Sequence, residues 1–211
     1  MRQRAPGGSR TMDPATPRAA GLAGVVFAVL LAVSIVLVRI SLPAGAGAEH
    51  VTVAPGRRAA LDTAVELVPF AGIAFLWFMG ALREHTGDAE DRFLATVFLG
   101  SGLVFVACLF GAAAAGRTVL AADQPQDFGR HFAYTLLTTY GMRMGAVFVI
   151  VTSTIGRRLG VFPRALSLAG YVVGLVLLAV SSSVPWSELV FPAWSLAISL
   201  YVLRTSRRRP G

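Results

Sequence analysis

Near the middle of the fourth of six long apolar stretches stands an arginine, Arg143, and its type and place raise the first chemical question. An unpaired arginine at the centre of a bilayer costs about 2.5–3.5 kcal/mol on insertion scales, so Arg143 is expected to face helix neighbours or a wet cavity. His131, Thr135, Thr139 and Arg143 recur every four residues, with Asp127 one turn earlier and Tyr134 and Thr138 alongside. On a regular helix residues so spaced share one face, so a polar stripe is expected to run from the helix end towards its midpoint.

The acidic counterpart has to come from another helix. Glu66 is the acidic residue well inside an apolar run, and Asp62 precedes it by one turn. Two pairings stay open. Glu66 is expected either to reach Arg143 or to meet Arg39, which lies near the end of the first run at a more similar depth. Pro69, three residues after Glu66, has no N–H to donate and frees a carbonyl at that level. The candidate pocket therefore comprises Arg143, Glu66, Asp62, Arg39, His131, Thr135 and Thr139. Such a pocket would hold a small anionic or polar solute or relay protons; as a purely structural network it would fix helix packing.

Other chemistry finds less support. There is no phosphate loop, dinucleotide fingerprint, nucleophile elbow or zinc-protease pair, so nothing argues positively for an enzyme, and no cofactor or metal is expected. The segment 83–92 gathers His85 with Glu84, Asp88, Glu90 and Asp91, but without a recurring ligand spacing it reads as a capped helix start. Cys108 sits alone inside an apolar run, as a small hydrophobe.

The elements that would carry these residues follow from composition. Hydrophobic residues make up 55% of the 211 and charged ones 14%, too few to face water over a folded surface. A spanning helix needs about 20 mostly apolar residues. Six runs approach that length, at 21–42, 61–82, 93–115, 132–155, 165–182 and 189–203. The last is the shortest and carries Pro192. The expected fold is an all-helical membrane bundle of six spans, between a disordered basic tail at 1–20 and a second basic tail at 204–211.

Charge sets the expected orientation. The net charge of +8 comes from nineteen arginines and no lysine, and these cluster between the apolar runs, which points to topology and not to nucleic acid. With both termini in the cytoplasm, thirteen arginines fall on the cytoplasmic side, four fall outside (Arg57, Arg58, Arg117 and Arg130), and Arg39 and Arg143 fall within runs. A signal-peptide reading of the first run, with cleavage within 44–48, competes with this; secretory apolar regions span about 7–15 residues, and this run is longer. Outer loops at 43–60 and 116–130 are expected to cover the mouth of the pocket. Trp186 and Tyr201 are expected as interfacial anchors, and Trp77 and Trp194 as packing residues.

Small residues mark expected helix contacts. Gly141 and Gly145 form a small-xxx-small pair, as do Gly170 and Gly174, and 100–102 and 111–116 are also rich in small residues. Such faces let backbones approach closely, within the chain or in a homo- or hetero-oligomer.

The segments Phe75-Leu76-Trp77-Phe78-Met79-Gly80-Ala81-Leu82-Arg83 and Glu90-Asp91-Arg92-Phe93-Leu94-Ala95-Thr96-Val97-Phe98-Leu99-Gly100-Ser101-Gly102, within a lysine-free Ala/Gly/Val/Arg-rich sequence, resemble uncharacterised multi-span membrane proteins of high-GC actinobacteria. The resemblance covers mainly the second and third runs. It implies a bacterial plasma membrane, with the lipid bilayer as partner, and transfers no functional residue. Three functions are expected in descending order: a protein that binds or transports a small anionic or polar solute around Arg143, a structural or accessory subunit, and a membrane-embedded enzyme.

Overall fold

The computed structural model describes residues 15–41, 55–86, 92–121, 127–180, 184 and 186–207, and among these there is no strand. The helices are α1 (Ala15–Ser41), α2 (Pro55–Thr86), α3 (Arg92–Ala121), α4 (Asp127–Thr135), α5 (Met142–Arg158), α6 (Arg164–Val180) and α7 (Val190–Arg207). A π-helical segment, Leu136–Gly141, joins α4 to α5, and a short 3-10 turn, Ser187–Leu189, leads into α7. Four helical stretches are long and apolar enough to cross a membrane: Gly21–Ser41, Arg58–Arg83, Arg92–Ala121 and His131–Arg158. α6 is apolar but has only 17 residues.

Most of the helices overrun the apolar runs that nucleate them. α2 begins at Pro55, where the fixed φ of proline suits a first helical position. α3 continues to Ala121 and α4 starts at Asp127, so most of the loop expected at 116–130 is helical. Pro69 does not end α2, which is continuous around it. The expected cleavage segment 44–48, the cap at Asp88, Glu90 and Asp91, and the tail residues 1–14 and 208–211 lie outside the described residues.

Phenylalanine builds the centre. Phe75 of α2 lies 4.8 Å from Phe27 of α1, 5.1 Å from Phe105 of α3, and 4.9 Å from Phe148 of α5, centroid to centroid. Phe191 of α7 closes the cluster at 5.0 Å from Phe105. Tilted and edge-on rings at these distances gain about 0.5–1.5 kcal/mol per pair beyond the area they bury. Five helices thus converge on one aromatic layer, and α6 packs outside it against α5 and α7.

Glycine makes the outer packing possible. A Cβ at Gly174 would lie 3.2 Å from the Ala146 carbonyl and run into Ile150, while one at Gly170 would overlap Ser153, so the expected α6 small-residue pair is a contact with α5. Gly145 faces Phe191 and Gly141 faces Cys108. The α5–α6 turn needs Gly160 at φ +67°, and the Val161 and Phe162 N–H groups both donate to the Gly156 carbonyl at 2.9 and 3.0 Å. Phe162 then folds over Gly156, where any Cβ would collide with its ring.

The outward faces are apolar too. Leu22, Val26, Val29 and Val33 are exposed on α1 at spacings of four and three, as are Phe70, Ile73 and Trp77 on α2 and Leu168, Val172 and Leu175 on α6. Exposed apolar residues at helical period form a continuous skin, suited to hydrocarbon and not to water. Trp77, expected as a packing residue, belongs to this skin at 71% exposure, whereas Trp194 is buried.

Contacts such as Gly21–Leu203 with Arg39–Glu188, and Met79–Gly102 with Glu66–Arg117, set neighbouring helices antiparallel, with α4 to α5 counting as one, which gives the bundle two different ends. One collects the helix ends bearing Arg83, Arg92, Arg157, Arg158, Arg164 and Arg204. The other holds Arg39, Arg58, Asp62, Glu66, Arg117 and Glu188.

Candidate functional site

At the second end an ion pair is buried. Arg39, in the last turn of α1, donates through Nη2 to Oε1 of Glu188 on the 3-10 turn before α7. The two side chains are 10% and 3% exposed. Burial of two charges is favourable only when their hydrogen-bonding capacity is well satisfied. That condition is half met. Glu188 Oε2 is buried and has no hydrogen-bond partner among the described residues.

Local structure fixes this geometry. Trp186, just before the turn, adopts φ 71°, a left-handed conformation unusual for a bulky residue and the kind of backbone outlier that gathers at functional positions. The Ser187 hydroxyl donates to the Val184 carbonyl at 2.8 Å and the Leu189 N–H to Trp186 at 3.0 Å, so the turn holds itself. The Arg39 guanidinium lies 5.8 Å from the centroid of the Tyr134 ring on α4, a cation–π contact that brings a third element to the pair.

The helix carrying Tyr134 departs from the regular spacing on which the polar stripe was based. Over Leu136–Gly141 it widens to a π-helix, and the Met142 N–H reaches Leu137 O, five residues back. A widened turn still sets residues four apart nearly above one another, but the stripe faces outward: His131, Thr135 and Arg143 are exposed and Thr139 is half-buried. Thr138 is buried and donates to the Tyr134 carbonyl at 2.9 Å, serving an acceptor next to the widened turn.

The seven pocket residues therefore distribute as follows. Arg39 meets Glu188 and not Glu66. Glu66 and Asp62 both face Arg117 of α3, at 3.3 and 4.0 Å, in a cluster more than half exposed. His131 and Thr135 are exposed on α4 and Thr139 is half-buried in the π segment. Arg143 is exposed on α5 and forms no ion pair among the described residues. No known protein family, curated protein or solved structure matches the chain.

Depth along the bundle unites these groups better than contact does. Arg143 lies fourteen residues before Arg157, Glu66 seventeen before Arg83, and Glu188 sixteen before Arg204. At 1.5 Å per residue all three sit ~21–26 Å from the arginine-rich end, in one polar layer. Arg143 is thus no deeper than the acidic residues by more than about a helical turn. Beneath the layer the phenylalanine cluster fills the bundle, and no cluster of three or more metal-ligating side chains occurs among the described residues.

Glu188 was the residue hidden from sequence reasoning. It lies between the fifth and sixth apolar runs, where a carboxylate reads as ordinary loop polarity. The adjacent Pro185-Trp186 and the apolar run starting at the next residue were the available signals of a turn tucked against the bundle.

Proposed function

We propose that the chain is a six-span integral membrane protein of the bacterial plasma membrane, with both termini cytoplasmic, that binds a small polar solute at the Arg39–Glu188 pair and takes part in its transport. The observation that carries this reading is Glu188 Oε2, a buried carboxylate oxygen with no hydrogen-bond partner among the described residues. A buried acceptor without a donor costs about 1–3 kcal/mol, more when charged, which a solute bringing an N–H or O–H group would recover. Because Arg39 is already neutralised by Glu188, the solute is better matched as a hydrogen-bond donor than as an anion.

The six-span count adds α6 and α7 to the four longer helices, since α6 packs on α5 and α7 lies against α1. The cytoplasmic assignment of the arginine-rich end follows the retention of basic residues on that side. The phenylalanine layer separates the polar end from the arginine-rich end, so passage would require its rings to move.

The test is thermal unfolding of the detergent-purified protein against methylammonium, guanidinium, glycerol and glucose. At least one of these raises the Tm of the native chain by several degrees and leaves Glu188→Gln unchanged. Failure of all four, or equal shifts in both proteins, would remove the solute site.

A second reading is an accessory subunit docked to another membrane protein. It is favoured by Arg143, exposed with Tyr140 one turn before it, and by Gly80 and Gly100, exposed with nothing within 4 Å of an added Cβ. Co-purification of a stoichiometric membrane partner, lost in Arg143→Leu, would decide for it.

A further inference from the structure

We infer that the groove between α2 and α3 is a binding site for a phospholipid whose headgroup carries a primary ammonium, of the phosphatidylethanolamine type. The groove has a volume of about 710 Å³ and is lined by Val65, Glu66, Pro69 and Phe70 on α2 and by Phe110 and Arg117 with intervening alanines on α3. The inference rests on the membrane placement proposed above but not on the solute site.

The order of residues along the groove matches the order of groups along a lipid. Arg117 and Glu66 stand at the polar end of the bundle. Phe110 lies seven residues from Arg117 and Phe70 four from Glu66, so the aromatic walls begin ~6–10 Å further towards the bundle middle. Charge at the membrane boundary with an apolar slot leading inward suits an amphiphile lying parallel to the helices.

The charges select the headgroup. Arg117 is shared between Glu66 at 3.3 Å and Asp62 at 4.0 Å, both long for ion pairs, and all three side chains are over half exposed. One guanidinium and two carboxylates complement a headgroup that itself bears a phosphate and a cation. The phosphate would take Arg117, for which guanidinium geometry is well suited. The ammonium, with three N–H donors, would take the two carboxylates and the Val65 carbonyl, which Pro69 leaves without its usual helical donor. An anionic glycerol headgroup would meet two carboxylates, and a trimethylammonium headgroup has no N–H to donate.

Native mass spectrometry of the full-length protein in detergent, with equimolar phosphatidylethanolamine, phosphatidylcholine and phosphatidylglycerol of identical acyl chains, tests this. Phosphatidylethanolamine adducts should exceed each of the others by about tenfold, the scale of one charge-assisted hydrogen bond. Glu66→Gln should erase the preference over phosphatidylcholine, while Arg117→Gln should weaken all three. Equal adducts of the three lipids on the native chain, or a preference that survives both substitutions, overturns the inference. Both residues are surface-exposed, and unchanged circular dichroism separates loss of binding from loss of fold. A chain that proves soluble without detergent would defeat the membrane reading instead.

Discussion

Arg39 and Glu188 are 149 residues apart in the chain and share a hydrogen bond inside the bundle, one at the end of α1 and the other on the turn that starts α7. The pair ties the first described helix to the last at the polar end, while at the opposite end Gly21 of α1 packs directly on Leu203 of α7. Two contacts of different chemistry thus close the same helix pair at both extremities.

The aromatic layer should dominate stability. Phe75 touches rings from α1, α3, α5 and α7 and is fully buried. Phe75→Ala is expected to cost about 3–5 kcal/mol, and Phe75→Leu much less, in denaturant unfolding followed by circular dichroism in detergent. A loss below about 1 kcal/mol for the alanine variant would mean the layer is not packed as described.

Glycine positions should separate into two groups. Gly174→Leu forces α6 away from the Ala146 carbonyl and Ile150, an overpacking expected to cost about 1–3 kcal/mol or more. At Gly80 and Gly100 a Cβ meets open space, and replacement by alanine in these helices should be neutral or stabilising by up to about 1 kcal/mol. Melting temperatures of the three variants, measured side by side, check the contrast.

Much of the architecture could be read from hydropathy, because helices in hydrocarbon must satisfy their own backbone and so announce themselves as long apolar runs. The pairing of charges could not. Glu66 drew attention because it interrupts a run, yet its partner Arg117 lies in a stretch expected to be loop but helical in fact. The residues of the Arg143 stripe lie towards the outside of the bundle, and which face of a helix turns inward is a tertiary matter that residue spacing does not show. Glu188 was obscured because its burial depends on a turn folding inward, a tertiary event with no periodicity of its own.

The π segment offers a finer check. Thr138→Val removes the hydroxyl that donates to the Tyr134 carbonyl while nearly preserving shape, and should destabilise by about 1 kcal/mol. Thr135→Val, on an exposed position nearby, should change stability by less than about 0.5 kcal/mol. Equal effects at the two positions would argue that the Thr138 hydroxyl serves no special acceptor.

A double-mutant cycle on Arg39→Gln and Glu188→Gln, read by unfolding free energy in detergent, probes the buried charge pair most directly. Each single change leaves an unpaired charge inside the protein and should cost about 3–5 kcal/mol, whereas the double variant, with both charges removed, should recover much of that loss. Strictly additive single effects would show that Arg39 and Glu188 do not interact, and the site built on them would fall with that result.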